Sequence, residues 1–184
     1  MKRRKANVII FHGTMSTPSS YWYKWLASEV KKQGADAQVP EFRKINVEPI
    51  ERTVERVFDR VEIDENTILV GHSAGAPLIL SVLERLEKPV RQSVLVAGPI
   101  NMPGSRFLPV LQQKYDWEKI KANAGDVVIV NSVNDQFGCD DKQGRAVFDK
   151  LGGTLIIKNE GHFGTVLFLQ KCDEFPFLLR LLDL

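Results

Sequence analysis

Apolar residues in this chain fall into short unbroken runs, separated by stretches where they recur every three or four positions. The runs are 7–11 (NVIIF), 36–39 (DAQV), 67–70 (TILV), 92–97 (QSVLVA), 126–130 (DVVIV) and 154–157 (TLII). Most are continuously apolar rather than alternating, which is the pattern of strands covered by helices on both faces of a parallel sheet. Helical spacing occupies 20–33, 48–61, 75–87, 139–151 and a C-terminal stretch, 163–182, interrupted at Pro176. In the first of these, Trp22, Trp25, Leu26 and Val30 fall on roughly one face; in the second, Ile50, Val54, Val57, Phe58 and Val61 do so. Asn123-Ala124-Gly125 and Gly152-Gly153 lie where helices hand over to strands. Strand and helix alternating along the whole length predict an α/β fold with right-handed crossovers.

The stretch 98–122 (GPINMPGSRFLPVLQQKYDWEKIKA) breaks this alternation. It has no clear period and holds Pro99, Pro103 and Pro109, so it reads as a long excursion of the kind that lines or covers a site. No linker, repeat or low-complexity segment divides the chain, and 184 residues suit a single domain over 1–184.

Charge changes the picture little. The net charge is +2, and Lys2, Arg3, Arg4 and Lys5 make 1–5 a basic tail, expected to be flexible. The remainder is slightly acidic, which argues against a nucleic-acid surface. The apolar stretch after the tail, Val8 to Phe11, is too short for a leader's hydrophobic segment and runs into His12-Gly13. No run approaches the roughly 18 apolar residues of a membrane span. Cys139 and Cys172 belong to no motif, so free thiols and a cytoplasmic location are expected.

Chemistry enters at 71–76, GHSAGA, between a strand and a strongly periodic helix. A serine on so tight a turn needs small neighbours two residues either way, or their Cβ atoms would strike strand and helix. Gly71 and Gly75 meet that demand around Ser73. A bland reading exists, with the serine as a helix N-cap, but the flanking strand and helix favour a nucleophile. The hydroxyl then needs a base. Of three histidines, His12 follows the first strand, and His72 sits inside the turn with its ring directed away from Ser73, as packing or polar support. His162, in NEGHFG after the last strand, is the base, because a parallel sheet gathers the C-terminal ends of its strands on one edge. Its orienting carboxylate belongs to the loop after 126–130, which offers Asp135, Asp140 and Asp141. The helix dipole accounts for Asp140 and Asp141 at a helix start, which favours Asp135. The order Ser73, Asp135, His162 is the one this turn motif requires. Backbone N–H groups of Thr14 and Ala74 complete an oxyanion hole, with Gly13 permitting close approach.

With FHGTMSTPSSYWYKWL, GHSAGAPLIL, NSVNDQFGC and GHFG together, the chain resembles the small α/β-hydrolases of the retinoblastoma-binding serine hydrolase type, YdeN-like members included. The resemblance covers nearly the whole chain. It implies a single-domain α/β-hydrolase fold with six mostly parallel strands in the order 2-1-3-4-5-6, helices on both faces and no large lid. By motif match it also implies Ser73, Asp135 and His162 as the triad and Thr14 and Ala74 as the oxyanion donors. Two departures stand out. An Asp-Asp pair common in the family is Asn134-Asp135 here, and the L-x-C-x-E signature is absent because Leu169 to Glu174 has one residue too many, so no retinoblastoma-type partner is expected.

The expected function is a serine hydrolase acting on a small or accessible acyl ester through an acyl-enzyme. An amidase or aminopeptidase on the same triad, or a non-catalytic binding protein on the fold, are the alternatives. His12, Trp22, Phe107, Phe137 and Phe163 are candidates for contacts to an apolar acyl group. No metal or organic cofactor is expected, since the chain has neither a ligand cluster nor a phosphate-binding glycine loop.

Overall fold

The computed structural model describes residues 5–101 and 108–184. Six parallel strands form one sheet: β1 (Asn7–Phe11), β2 (Asp36–Gln38), β3 (Thr67–His72), β4 (Gln92–Val96), β5 (Asp126–Ser132) and β6 (Thr154–Lys158), in the order β2-β1-β3-β4-β5-β6. Register is continuous from Asn7↔Thr67 to Phe11↔Gly71 between β1 and β3, and from Ile68↔Gln92 to His72↔Val96 between β3 and β4. The chain reverses its direction of winding between β1 and β3, so the loops leaving their C-terminal ends diverge around a crevice.

Both faces of the sheet are buried, as the unbroken apolar runs require. Val8, Ile10, Ile68, Val70, Val94, Val96, Val128 and Val130 point to the face covered by α1 (Tyr23–Lys32) and the short α6 (Pro176–Leu179). Ile9, Phe11, Leu69, Leu95 and Ile129 point to the opposite face. That face carries α2 (Ile50–Arg60), α3 (Gly75–Leu83), α4 (Trp117–Asn123) and α5 (Asp141–Leu151).

Differences from the sequence expectation lie at element ends and in one segment. Tyr21 at φ 50° delays α1 to Tyr23, and Ala97 at φ 47° ends β4 one residue early. The C-terminal stretch 163–182 is helical only over Pro176–Leu179. Positive φ at Phe163, Gly164 and Leu169 prevents a helix there. Instead Thr165 and Gln170 exchange backbone hydrogen bonds of 3.0 and 2.9 Å across a closed turn. Within the aperiodic excursion, Asp116 caps α4 by accepting from the Lys119 N–H. Among the described residues no helix is long and apolar enough to cross a membrane.

Candidate active site

β3 delivers the chain into the serine turn. Ser73 has φ 53°, a left-handed conformation that non-glycine residues seldom adopt, and α3 begins two residues later. The flanking glycines are forced. A Cβ on Gly71 would lie 2.4 Å from the Gly75 carbonyl oxygen, and one on Gly75 would lie 2.3 Å from that of Phe11. The Ser73 N–H is used in holding the turn, donating to Val96 O at 2.9 Å.

The loop after β1 packs against this turn, so closely that a Cβ on Gly13 would sit 3.0 Å from Ser73 Cβ. Neither the Thr14 nor the Ala74 N–H donates a hydrogen bond among the described residues. Both residues line the same cavity as Ser73. Two N–H donors beside a hydroxyl are the arrangement that stabilises a developing oxyanion.

His162 and Asp135 meet across the loops after β6 and β5. His162 Nδ1 donates to Asp135 Oδ2 at 2.6 Å, with both side chains almost fully buried. Asp135 Oδ1 accepts from the Phe137 N–H at 2.8 Å. A proton held on Nδ1 leaves Nε2 of a neutral imidazole as a lone pair, which is what a general base needs. Asn134 has a different task from its neighbour. Its Oδ1 accepts from Ser132 Oγ and from the Gly161 N–H at 2.7 and 2.8 Å, bracketing the acid loop to the histidine loop.

Behind the site runs a buried chain of hydrogen bonds. The Gly13 N–H donates to Tyr23 Oη (3.2 Å), Tyr23 Oη donates to His72 Nδ1 (2.5 Å), and His72 Nε2 donates to the His162 carbonyl (2.7 Å). The carbonyl can only accept, so His72 carries its proton on Nε2 and receives Tyr23 at Nδ1. Burial holds His72 neutral, lowering its pKa to about 3, and the nearby His162 pushes the same way. Burial also raises the Tyr23 phenol and lowers His12.

The cavity measures about 210 Å³. It brings together Ser73, His162, Thr14, Ala74 and, of the residues expected to contact an acyl group, Phe137. Asp135 stands behind His162. His12, Trp22 and Phe163 do not line the cavity. His12 accepts the Phe42 N–H at Nε2 and donates from Nδ1 to Gly13 O, so its ring props the loop from behind. Trp22 is buried between α1 and the sheet and donates to Phe163 O at 2.9 Å, while the Phe163 ring stacks on Phe175. Both are core residues, their rings buried beneath the loops that carry them. Phe107 lies outside the described residues. Asp140 accepts from the Lys142 and Gln143 N–H groups as the N-cap of α5, the role that its position suggests.

Tyr23, Met15, Thr165, Val166 and Leu167 also line the cavity and were not singled out by the sequence. The aromatic cluster YWYKW just after the first loop was the available signal for Tyr23. Asp135, Cys139 and His162 place a carboxylate, a thiol and an imidazole within 4.8 Å of one another. Burial raises the Cys139 thiol well above its ordinary pKa, and Asp135 is already committed to His162, so this donor set is poorly suited to a metal ion.

The sequence pattern of the serine hydrolase family matches residues 8–174. The chain belongs to the serine hydrolase family. Among relatives of this serine hydrolase, the Bacillus subtilis (strain 168) protein YdeN is 30% identical over 139 residues, covering 70% of each chain. The serine hydrolase RBBP9 of Rattus norvegicus is 28% identical over 175 residues, covering 89% of each. The crystal structure of the ydeN gene product from B. subtilis superposes with a TM-score of 0.84 at 23% identity, covering 96% of both chains. The fold of this serine hydrolase is thus that of the α/β-hydrolases, and the order of its six strands agrees with the expectation from the resemblance.

Proposed function

We propose that this serine hydrolase cleaves carboxylic esters through an acyl-enzyme formed on Ser73. His162 Nε2 removes the Ser73 hydroxyl proton as Oγ attacks the ester carbonyl. The carbonyl oxygen, now an anion, rests on the Thr14 and Ala74 N–H groups. Collapse of the tetrahedral species expels the alcohol, which takes the proton from His162. Water then enters by the same route and releases the acid. Asp135 keeps the imidazole in the Nδ1–H tautomer and stabilises the imidazolium formed at each step.

The observation supporting this reading is the buried 2.6 Å His162–Asp135 bond, whose imidazole lines one cavity with a serine at φ 53°. The test is intact mass after exposure to a fluorophosphonate, with ester hydrolysis measured alongside. One adduct on the wild type and none on Ser73→Ala or His162→Ala is expected. Asp135→Asn should lower kcat by about 10⁴ by favouring the wrong tautomer. Labelling of Ser73→Ala at the wild-type rate would refute the assignment.

A further inference from the structure

The closed turn that follows the histidine loop has an unusual surface. Its tip is Val166-Leu167-Phe168-Leu169, four consecutive apolar side chains that are 58, 61, 51 and 86% exposed. Turn tips are ordinarily built from Gly, Asn, Asp, Ser or Pro, and adjoining exposed apolar residues mark a site of contact. The tip is also held in place. Besides the Thr165–Gln170 pair, Tyr21 Oη accepts the Val166 N–H at 3.0 Å. Gln170 Oε1 accepts the His162 N–H at 2.9 Å, and the Phe168 ring meets Phe137, which in turn meets the His162 ring. A rigid apolar tip is therefore fastened to the proposed base itself.

What covers it follows from continuity. Val166 and Leu167 line the same cavity as Ser73 and His162, and Met15, 73% exposed, lines it too. Cavity and tip form one apolar surface leading outward from the serine. We propose that the turn 166–169, together with Met15, binds an extended hydrocarbon substituent of the substrate, so that the preferred esters carry a chain of several carbons rather than an acetyl-sized or charged group. This rests on Ser73 being the nucleophile. A chain leaving the serine lies against Leu167 and Val166 on one side and stays open to water on the other. Each added methylene should then raise kcat/KM about twofold, half of the roughly fourfold that complete burial gives on a logarithmic scale.

The experiment measures kcat/KM for p-nitrophenyl esters from acetyl to decanoyl and for acetate esters of straight-chain alcohols over the same lengths. Wild type is compared with Leu167→Ser, Met15→Ser and Ile157→Ser, the last an exposed apolar residue on β6 outside the cavity. Fluorophosphonate labelling is followed in parallel. A rising series is expected on one side of the ester, and the side that rises identifies whether acyl or alcohol carries the chain. Leu167→Ser should reduce the octanoyl-to-acetyl ratio, or its alcohol counterpart, about tenfold, while Ile157→Ser leaves it unchanged. A flat response in both series, or a ratio that Leu167→Ser and Met15→Ser do not move, overturns the proposal. A tip covered instead by a second copy or a lipid vesicle would show as association lost in Leu167→Ser with flat ester series, which also overturns it. Labelling of Ser73 with flat series defeats this proposal alone, whereas absence of labelling defeats the reading beneath it and this one together.

Discussion

Replacing Tyr23 by phenylalanine keeps the ring and removes one oxygen, and that oxygen has two buried partners. It accepts from the Gly13 N–H at 3.2 Å and donates to His72 Nδ1 at 2.5 Å. Tyr23 and His72 are 0 and 1% exposed, so water does not readily replace the lost atom. Leaving a buried donor or acceptor unsatisfied costs about 1–3 kcal/mol. Two such groups give about 2–4 kcal/mol when Ser16 Oγ, 3.5 Å from the phenol oxygen, relieves part of the loss. For a chain of this size each kcal/mol moves Tm by about 2–4 °C, so a drop of about 5–15 °C is expected. Tyr21→Phe is the matched control. Among the described residues its hydroxyl serves only the Val166 N–H, in an exposed segment that water can satisfy, so its cost should stay below about 1 kcal/mol. The assay is urea and thermal unfolding of both variants by circular dichroism. If Tyr23→Phe is no less stable than Tyr21→Phe, the bridge between the Gly13 loop and His72 does not hold the fold, and the reasoning fails.

Two further outcomes follow from the same core. The folded-state pKa of His72, about 3, lies below its ordinary 6.5, so its contribution is present above 6.5 and is lost as pH falls toward 3. Buried His12 acts with the same sign, and unfolding free energy from urea titrations should therefore be lower at pH 5 than at pH 7 by about 2 kcal/mol or more; equal stability at both would contradict neutral burial. Gly75→Ala would place a methyl 2.3 Å from a backbone oxygen that cannot swing aside, so a loss of about 3 kcal/mol or more is expected, read as a fall in Tm; a wild-type Tm would mean the turn is looser than described.

The sheet was legible in the sequence because its strands are buried on both faces and read as unbroken apolar runs. The tight turn carrying Ser73 was legible because the crowding at Gly71 and Gly75 leaves a glycine at each place, and the position of His162 near it because it follows the last strand on the same edge. What the sequence hid was set by packing between distant segments. The ring of Trp22 turns into the core while its neighbour Tyr23 reaches the cavity, and one helical position separates those fates. The Val166–Leu169 run carries the spacing of a helix, yet positive φ at Gly164 and Leu169 folds it into a turn. Asn134 looked like a missing carboxylate and is a bracket between loops, a role visible only when Ser132 and Gly161 are seen beside it.

The bond from His72 Nε2 to the His162 carbonyl spans 90 positions of the chain. On the ribosome, where chains grow at about 5–20 residues per second, the serine turn emerges roughly 5–20 s before the segment that tethers it. During that interval β1 and β3 have what they need to pair, and Ser73 has its neighbour His72 but not His162 beside it. On the proposed mechanism, the serine has no general base for as long as that interval lasts. On that reading, hydrolytic competence arrives only with the loop after the last strand, and translation order does for this fold what a removable propeptide does for others.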